Sequence, residues 1–556
     1  MTLASRMAPP MGGALPDQCS KKLLLMRSRS LASSQIFLRK LSLRRRLHSR
    51  ISMDWRSGSE SMKLSELIES ICVRSVSGSL DVNVSGVFFD SRKVVDGGVF
   101  CALAGQGDDG NQYIDAAIEN GAVAVISGQP YASEFPVTWV QTDDPRLAMG
   151  IAAANLEGYP SRELPVIGVT GTNGKTTTTF LIHHLIESIL HRAGLIGTIN
   201  YVIGDEFEDA PHTTPESPEL QKLLREMLDS DCRAVAMEVS SHGVTQKRVA
   251  GVSFDVGVFT NLTQDHLDFH GGMENYFEAK AAMFTAMDLD SSKKGVAIIN
   301  ADDSYGERLR KRNFERLKVY TFGRSAKADF QASNIRSDFD GTEFKLSFGE
   351  RSFLVRTPLI GAFNVYNSVA AIASAYGVGL NLRETVSKMA EAPQVPGRLE
   401  AVGDRKINYR VFVDYAHTPD AISSVLRTLR DLGPNRIITV FGCGGDRDTA
   451  KRAMMAKAAE DLSDLCILTT DNPRTETPAK ILEDVETGFQ RHDYEVIEDR
   501  KLAIKRAIRL AEERDIVLIA GKGHETYQEI DGIRHEFDDR RIAVNFIREK
   551  AEGGER

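Results

Sequence analysis

A glycine-rich turn between an apolar strand and an apolar helix is the feature that most constrains the fold of this 556-residue chain. Val166 to Val169 predicts a short buried strand, and Phe180 to Leu190 predicts a helix. Between them stands Gly171-Thr172-Asn173-Gly174-Lys175-Thr176-Thr177. Glycines let backbone N–H groups approach phosphate oxygens, the helix start adds partial positive charge, and Lys175 adds a full one. The order predicts an α/β unit with a nucleotide phosphate site, in which the Thr176 hydroxyl can bind Mg²⁺.

The spacing of this turn departs from the usual phosphate-binding loop, G-x-x-x-x-G-K-[ST], because the first glycine would fall at Val169. What stands here is the shorter G-T-N-G-K-T. On these residues alone, an ordinary turn of a parallel sheet remains the alternative interpretation.

Composition narrows the classes of protein and partner. Hydrophobic residues make up 42% and charged residues 26%, as in globular proteins, and the length predicts three or four domains. No run approaches the roughly 18 apolar residues of a membrane span, so no membrane partner is expected. The net charge of −8 argues against general nucleic-acid binding. The six cysteines are scattered without a C-x-x-C pair, which favours a reducing compartment and no structural zinc.

Residues 1–61 form a basic leader with no predicted fold. Its first 52 residues hold eight arginines, three lysines and a single acidic residue, Asp17. Three interpretations stay open: a translation start assigned too early, with the true start at Met53 or Met62; an organelle transit peptide; or a basic disordered arm. Met62 to Leu67 predicts the opening of an amphipathic helix, which favours a start near it. If the start is assigned too early, we expect a cytoplasmic protein; if the leader is a transit peptide, we expect a plastid protein.

Three folded domains are predicted after the leader. Residues 62–158 read as a small α/β domain, whose polar loops after strands could hold a ligand or could be plain surface loops. Residues 159–392 form a central domain with the phosphate loop and a parallel sheet. In residues 393–556, four predicted strands each run into a polar loop, as in a doubly wound sheet with a site along one edge.

Polar side chains follow the predicted central strands, where ligands of parallel sheets gather. The Glu238 carboxylate and the Thr176 hydroxyl supply the oxygen ligands that Mg²⁺ prefers. His266 is a less usual ligand, and alone it reads as a structural histidine. Lys280 alone reads as a solvated lysine of a helix. In the last domain Arg447 and Arg474 stand at strand ends, where a guanidinium suits a carboxylate, although each alone reads as a surface charge.

Seven motifs in fixed order resemble the Mur ligases, and the resemblance covers about residues 62–545. The family itself uses the short G-T-N-G-K-[ST] loop. The motifs are Gly171-Thr-Asn-Gly-Lys-Thr-Thr177, Met237-Glu-Val-Ser-Ser-His242, Thr260-Asn-Leu with Asp265-His-Leu-Asp268, Asp414-Tyr-Ala-His-Thr-Pro419, Gly442-Cys-Gly-Gly-Asp-Arg-Asp448, Asp471-Asn-Pro-Arg474 and Gly521-Lys-Gly-His-Glu525.

The resemblance implies three α/β domains: a small N-terminal UDP-binding domain, a central P-loop-type ATPase domain and a C-terminal Rossmann-like domain. It implies an ATP-dependent ligase of peptidoglycan precursor synthesis that joins an amino acid to the carboxylate of a UDP-MurNAc-peptide through an acyl phosphate. The expected substrates are ATP, UDP-MurNAc-L-Ala-D-Glu and meso-diaminopimelate, the cofactor is Mg²⁺, and the chain is expected to be a monomer.

The resemblance also assigns site residues. Catalysis falls to Lys175, Glu238, His266 and Lys280. Metal ligation falls to Thr176, Glu238, His266 and a carbamylated Lys280. The ATP residues are Gly171, Thr172, Asn173, Gly174, Lys175, Thr176, Thr177, Asn364, Arg398 and Asp414. The UDP-MurNAc-dipeptide residues are Ser91, Gln106, Gly107, Asp108, His212, Thr213, Thr214, Ser240, Gln246 and Arg248. The diaminopimelate residues are Arg447, Asp471, Asn472, Pro473, Arg474, Gly521 and Glu525.

The choice of amino acid rests on the Asp-Asn-Pro-Arg loop, which in the family accompanies diaminopimelate. Diaminopimelate carries a second carboxylate that Arg474 can pair, whereas lysine would leave that arginine unpaired. A lysine-adding relative is the nearest alternative. Folylpolyglutamate synthase is disfavoured by the threonine after Lys175 and by the Asp-Asn-Pro-Arg loop. A non-catalytic organelle protein, like the plant Mur-ligase-like proteins of plastid transcription complexes, is supported only by the basic leader.

Overall fold

The computed structural model describes residues 62–105, 109–131, 135–403 and 407–553, so the basic leader lies outside the described residues. The described strands build three large sheets, one after another along the chain, with helices packed against them. In this part of the chain, no helix is long and apolar enough to cross a bilayer.

The first sheet has five strands in the order β2-β7-β6-β5-β4, in which β4 to β7 run parallel and β2 is antiparallel to β7. Its region contains β1 (Met62–Lys63), α1 (Leu64–Leu67), β2 (Val73–Ser77), β3 (Asn83–Val84), β4 (Gly86–Phe88), β5 (Gly98–Ala102), α2 (Ile114–Glu119), β6 (Ala122–Ser127), β7 (Thr138–Thr142) and α3 (Pro145–Leu156).

The helix predicted to open at Met62 begins only at Leu64 and lasts one turn. Met62 and Lys63 instead pair with β3, Met62 opposite Val84, so strand pairing takes the two residues that would start the helix. The next segment, residues 82–89, contains the two short strands β3 and β4.

The second sheet has eleven strands in the order β11-β10-β9-β12-β8-β13-β14-β15-β16-β17-β18. Its region contains α4 (Pro160–Glu163), β8 (Val166–Thr170), α5 (Lys175–Leu190), β9 (Gly194–Ile196), β10 (Asn200–Ile203), β11 (Glu206–Asp209), α6 (Ser217–Asp229), β12 (Val235–Glu238), α7 (Ser241–Thr245), β13 (Val256–Phe259), α8 (Leu267–His270), α9 (Met273–Leu289), β14 (Val296–Asn300), α10 (Ser304–Arg310), β15 (Lys318–Gly323), β16 (Phe330–Asp338), β17 (Gly341–Phe348), β18 (Arg351–Thr357), α11 (Ala362–Gly377) and α12 (Leu382–Lys388).

The middle of this sheet, from β9 to β16, is parallel, as the sequence predicted. Antiparallel strands extend it at both ends, and β16, β17 and β18 pair with one another in antiparallel order. Apolar clusters cover both faces; one contains Leu181, Leu185 and Val369 from α5 and α11, and the other contains Phe277 and Phe284 from α9. Burial on both faces explains why the parallel strands are continuous apolar runs.

The third sheet has six strands in the order β19-β20-β24-β21-β22-β23, parallel except for the edge strand β19. Its region contains β19 (Glu400–Val402), β20 (Arg410–Asp414), α13 (Pro419–Arg430), β21 (Ile437–Phe441), α14 (Lys451–Leu462), β22 (Leu465–Leu468), α15 (Pro478–Glu486), β23 (Tyr494–Val496), α16 (Arg500–Leu510), β24 (Ile516–Ala520), β25 (Tyr527–Ile530), β26 (Ile533–Glu536) and α17 (Asp539–Gly553). The four strands predicted from the sequence are β20, β21, β22 and β24, and their polar loops leave the same edge.

Candidate active site

The phosphate loop connects β8 to α5 and is built so tightly that two of its positions accept only glycine. Gly171 and Gly174 have φ angles of +147° and +85°, in the region that side chains rarely adopt. A Cβ at Gly171 would lie 1.9 Å from Thr260 Oγ1, and one at Gly174 would lie 2.4 Å from Asn367 Oδ1. The alternative of an ordinary turn does not explain this fit, because the loop is enclosed by side chains from distant strands and helices.

The end of β13 fixes the backbone of the loop. Asn261 accepts hydrogen bonds from the backbone N–H of Thr172 at its carbonyl and from that of Asn173 at Oδ1, both at 2.9 Å. Thr260 Oγ1 donates to the carbonyl of Asn173 at 2.7 Å. Asn261 therefore shapes the loop, although it was not among the predicted site residues. Its place directly after a parallel strand was the signal.

Two lysines converge on one carbonyl of the loop. Lys175 Nζ lies 3.0 Å and Lys280 Nζ 2.8 Å from the oxygen of Gly171. Lys280 is 1% exposed and lies over the ring of Tyr276. Burial, together with the neighbouring charge of Lys175, holds the pKa of Lys280 well below its usual range, and burial also lowers the pKa of Lys175. The interpretation of Lys280 as a solvated surface lysine is therefore wrong.

Thr176 and Glu238 meet behind the loop. Thr176 Oγ1 donates to Glu238 Oε2 at 3.1 Å, and both side chains are buried. The backbone N–H of Thr198 donates to Glu238 Oε1 at 2.8 Å, which fixes the carboxylate. A hydroxyl and a carboxylate suit Mg²⁺. No group of three or more His, Cys, Asp and Glu side chains that could hold a metal occurs in the described residues, so these oxygens would need phosphate oxygens beside them.

His266 lies at the start of α8 in a left-handed conformation, with φ +52°, and is about half exposed. Its Nε2 is 3.4 Å from Asp265 Oδ2. Its ring meets that of His242 edge-on at 4.9 Å and lies 6.2 Å from that of Tyr276, over which Lys280 sits. The side chains of His266 and Lys280 therefore both lie against the ring of Tyr276. The hydroxyl of Tyr276 is 3.1 Å from Thr172 Oγ1.

The third sheet contributes residues to the same loop. Arg398 Nη2 lies 3.5 Å from Thr176 Oγ1, and its guanidinium lies over the ring of Tyr415. Asp414, at the end of β20, accepts the backbone N–H groups of Leu399 and Ala416, and burial raises its pKa. These contacts bring the predicted ATP residues Arg398 and Asp414 to the junction of the two sheets.

Asn364 lies beneath the loop rather than at its mouth. It is buried in α11, where its Oδ1 accepts a hydrogen bond from Asn367 Nδ2 at 3.0 Å. Asn367 in turn touches Gly174 and accepts from Thr178 Oγ1 at 3.3 Å. Asn364 therefore supports the loop through Asn367.

The residues predicted for the muramoyl dipeptide gather beside Glu238. Thr214 Oγ1 donates to the carbonyl of Glu238 at 2.9 Å and accepts from the backbone N–H of Ser240 at 3.0 Å. Arg248 Nη1 donates to the carbonyl of Thr214 at 2.9 Å. Thr213 Oγ1 lies 3.1 Å from the hydroxyl of Thr198, which also contacts Glu238.

The remaining residues of that set are less tightly grouped. Gln246 is the C-terminal cap of α7, and the carbonyl of His212 accepts a hydrogen bond from Tyr201. Ser91 belongs to the first sheet region, where it is 8% exposed. Gln106, Gly107 and Asp108 lie outside the described residues.

The loops after β22 and β24 hold the residues predicted for the amino acid. Asn472 Nδ2 donates to Glu525 Oε2 at 2.9 Å, and buried Lys522 donates to both Asn472 Oδ1 and Glu525 Oε2 at 2.8 and 3.0 Å. Gly521 has φ +116°, and a Cβ there would lie 2.5 Å from Asp471 Oδ2. Lys522 was not predicted; its place inside the Gly-Lys-Gly-His-Glu motif was the available signal.

The two predicted arginines lie on facing loops. Arg474 has a left-handed backbone, φ +53°, and its Nη1 donates to the carbonyl of Gly445 at 2.6 Å. Its Nε lies 3.6 Å from Glu529, and its side chain is 22% exposed. Arg447 is exposed on the loop after β21. The carbonyl of Pro473, the residue before Arg474, occupies the space that a Cβ of Gly445 would need.

Family models and known proteins agree with this arrangement. Residues 169–375 match the Mur ligase middle domain, and residues 397–523 match the Mur ligase, glutamate ligase domain. The chain is 43% identical over 518 residues to the UDP-N-acetylmuramoyl-L-alanyl-D-glutamate--2,6-diaminopimelate ligase of Geobacter metallireducens, covering 89% of this chain and all of that protein. The chain belongs to the Mur ligase family.

Two further members of the family give the same result. The ligase of the same name from Halalkalibacterium halodurans is 43% identical, over 88% of this chain and 99% of that protein. A solved structure of a UDP-N-acetylmuramoyl-L-alanyl-D-glutamate--2,6-diaminopimelate ligase superposes with a TM-score of 0.67 at 36% identity, over 88% of this chain and all of that one. The expected fold class, of three α/β parts in the Mur ligase order, is confirmed.

Proposed function

We propose that this Mur ligase adds meso-2,6-diaminopimelate to the D-Glu carboxylate of UDP-MurNAc-L-Ala-D-Glu, with ATP converted to ADP and phosphate, in peptidoglycan precursor synthesis. The relatives of that name, matched over almost their whole length, support the activity. The observation that carries the choice of amino acid is Arg474, a partly exposed guanidinium held on a rigid loop.

The phosphate loop would bind the triphosphate of ATP. Its backbone N–H groups and the N-terminus of α5 attract phosphate oxygens, and Lys175 adds a positive charge at the same place. In this structure Lys175 Nζ donates to two loop carbonyls, at Gly171 and Thr172. Phosphate oxygens are stronger acceptors than neutral carbonyls, so we expect Lys175 to turn towards them.

Magnesium fits the oxygens described above, and Thr176 and Glu238 would hold one ion. His266 and a carbamylated Lys280 would hold a second. When bound, Mg²⁺ neutralises charge on the transferring phosphoryl group. The protein orients the side chains that would hold the metal. For Glu238, hydrogen bonds from the backbone N–H and the hydroxyl of Thr198 fix the carboxylate.

Carbamylation of Lys280 needs its amine in the neutral form. The nitrogen of the neutral amine bonds to the carbon of CO₂ and releases one proton, which converts the neutral amine into a carboxylate-like anion. Burial and the charge of Lys175 lower the pKa of Lys280, so the amine loses its proton more readily than that of an exposed lysine. The anion formed would then lie close to the cationic Lys175, which favours it.

The reaction would proceed in two displacements. A carboxylate oxygen of the dipeptide attacks the γ-phosphorus, the bond to the β-phosphate oxygen breaks, and ADP leaves. The amine of diaminopimelate then attacks the carbonyl carbon of the acyl phosphate, phosphate leaves, and the amine loses a proton. Thr214, Ser240 and Arg248 would hold the dipeptide beside the phosphate loop; the contact of Thr214 with Glu238, and those of Ser240 and Arg248 with Thr214, support this role.

Arg474 would select diaminopimelate by pairing its second carboxylate. Lysine has no such group, and it would leave a partly buried guanidinium without a substrate partner. Asn472, Asp471 and Glu525 would bind the amino acid at its other end, with Arg447 closing the site. Lysine and diaminopimelate share both amino groups, so the second carboxylate is the group that distinguishes them, and Arg474 is the side chain that would complement it.

We further propose that the enzyme acts as a monomer in the cytoplasm, with the residue boundaries 62–158, 159–392 and 393–556 for its domains. The plastid alternative depends on the basic leader alone. The non-catalytic alternative is opposed by the pairing of Thr176 with Glu238 and by the enclosure of Lys280, which a protein without a metal site has no reason to retain.

An oxygen-transfer experiment tests the reaction. The D-Glu carboxylate of the UDP-MurNAc-dipeptide is labelled with ¹⁸O, and the reaction is run with ATP and meso-diaminopimelate. We expect one ¹⁸O atom in the released phosphate and a product mass equal to the sum of dipeptide and diaminopimelate less water. Phosphate without ¹⁸O would exclude the acyl phosphate, and no product with any amino acid would overturn the ligase assignment.

A further inference from the structure

The loops that carry Arg447 and Arg474 pack backbone against backbone. We name residues 442–448, after β21, the first selectivity loop, and residues 469–477, after β22, the second. The N–H of Gly445 donates to the carbonyl of Asn472 at 2.9 Å. A Cβ on Gly445 would stand 2.0 Å from the carbonyl oxygen of Pro473, so the approach leaves no room for a side chain.

Two acidic side chains lock the register of this contact. The carboxylate of Asp446, in the first selectivity loop, accepts the backbone N–H and the hydroxyl of Thr475 at 3.2 and 2.7 Å. Glu476, in the second, accepts the backbone N–H of Asp446 at 2.6 Å. Each loop therefore supplies a carboxylate that accepts hydrogen bonds from the other loop, immediately beside Arg447 and Arg474.

Arg452 anchors this lock from inside the protein. It lies in the first turn of α14 and is 1% exposed. Its Nη2 and Nη1 donate to the two oxygens of Glu476 at 2.7 and 3.0 Å, and Nη1 also donates to Asp484 of α15 at 2.8 Å. This fork-to-carboxylate contact fixes the plane of Glu476, and it lowers the pKa of that carboxyl.

We infer that Arg452, acting through Glu476, is a positioning residue that sets the separation of Arg447 and Arg474 and thereby the preference for a diamino acid with a second carboxylate. The two guanidinium groups repel each other, so the loops that carry them need a tie of opposite charge to hold them near one substrate. A buried arginine is the suitable anchor because it keeps its charge and forms two parallel hydrogen bonds. This inference rests on the proposed function.

The chain supplies a matched control at the other end of the same strand. Arg436 directly precedes β21, whereas the first selectivity loop follows it. Arg436 donates through Nε and Nη2 to Asp515, at 3.1 and 2.6 Å, and Asp515 is 1% exposed. Arg436→Met therefore removes an arginine fork from a buried carboxylate without touching the selectivity loops.

The experiment measures kcat and KM for meso-diaminopimelate and for lysine with the wild type, Arg452→Met, Arg452→Lys and Arg436→Met. For Arg452→Met we expect KM for diaminopimelate to rise about tenfold, kcat to change less than about threefold, and the preference over lysine to fall about tenfold. Arg452→Lys, which keeps the charge but not the fork, recovers part of the preference. Arg436→Met melts at a lower temperature and keeps the wild-type preference.

A milder variant serves if Arg452→Met does not fold. Glu476→Gln keeps the shape of the side chain and removes the carboxylate charge that Arg452 binds, and we expect it to lower the preference about threefold. The inference is overturned if Arg452→Met, or Glu476→Gln in its place, shifts the preference no more than Arg436→Met does. The assay of the wild type tests the proposed function by itself. The difference between the wild type and the variant tests the positioning role, and this comparison can be made with whichever amino acid the wild type uses.

Discussion

Replacing Gly174 with alanine tests whether the phosphate loop depends on the distant asparagine beneath it. Gly174 has φ +85°, and the new Cβ would lie 2.4 Å from Asn367 Oδ1. Asn367 would have to move, although it is buried and bonded on both sides, from Thr178 and to Asn364. Gly349 is the matched control: it has φ +56° in the turn between β17 and β18 of the same sheet, with no atom within 4 Å of a Cβ.

Both glycines have a positive φ, and the main difference between the two substitutions is the clash at Gly174. The left-handed backbone costs an alanine about 1–2 kcal/mol at either site. At Gly174, loss of the two hydrogen bonds of Asn367 adds about 0.5–1.5 kcal/mol each, so the free energy of unfolding should fall by about 2–5 kcal/mol. The same movement displaces the first turn of α5, which would bind phosphate, so affinity for ATP should fall as well.

Urea denaturation of both variants measures the stability difference, and calorimetric titration with a non-hydrolysable ATP analogue measures the affinity. We expect Gly174→Ala to be less stable than Gly349→Ala and to bind the analogue at least tenfold more weakly than it does. Equal stability and equal affinity of the two variants would refute the reasoning, because the clash with Asn367 would then have no consequence.

Three other perturbations give distinct outcomes. Lys280→Ala should lower kcat at least tenfold, and added acetate or propionate should restore part of the lost activity. Removing bicarbonate from the wild-type enzyme should also lower its kcat. A carbamate is contradicted if the added acid restores nothing and the removal of bicarbonate changes nothing. Arg500→Met leaves Asp539, buried with its partner at 2.7 Å, as an unpaired charge, so the free energy of unfolding measured in urea should fall by about 3–5 kcal/mol, and the additional Asp539→Leu change should recover most of it. Burial and neighbouring cations lower the pKa of His524 to about 4. As the pH drops from the ordinary histidine value towards 4, the unfolded state binds a proton at this histidine before the folded state does, so the stability of the protein falls. His524→Gln should flatten that part of a pH series of melting temperatures.

The sequence predicted best what depends on short local runs. β21 (Ile437–Phe441) and β24 (Ile516–Ala520) are two of the four strands predicted for the last domain, and they were found because strands buried on both faces are continuously apolar. The polar loops after them were found for the same reason. Short edge strands such as β19 and β23 were missed, since three residues carry no periodic signal.

The sequence predicted less of what depends on contacts between distant segments. Thr198, which orients Glu238, and Asn367, which touches Gly174, lie on elements whose relative placement only the folded chain defines. The burial of Lys280 could not be read from a helix that also carries exposed residues. The resemblance to the Mur ligases identified Lys280, but its contact with the Gly171 carbonyl is a finding of the structure.

The central claim is that this chain is a ligase specific for a diamino acid with two carboxylates. Phosphate release from ATP, measured with UDP-MurNAc-L-Ala-D-Glu and increasing meso-diaminopimelate or lysine, tests it most directly. We predict a kcat/KM for diaminopimelate at least about 100-fold above that for lysine, and a preference that Arg474→Ala abolishes. Equal use of the two amino acids by the wild type, or no release with either, would contradict the claim.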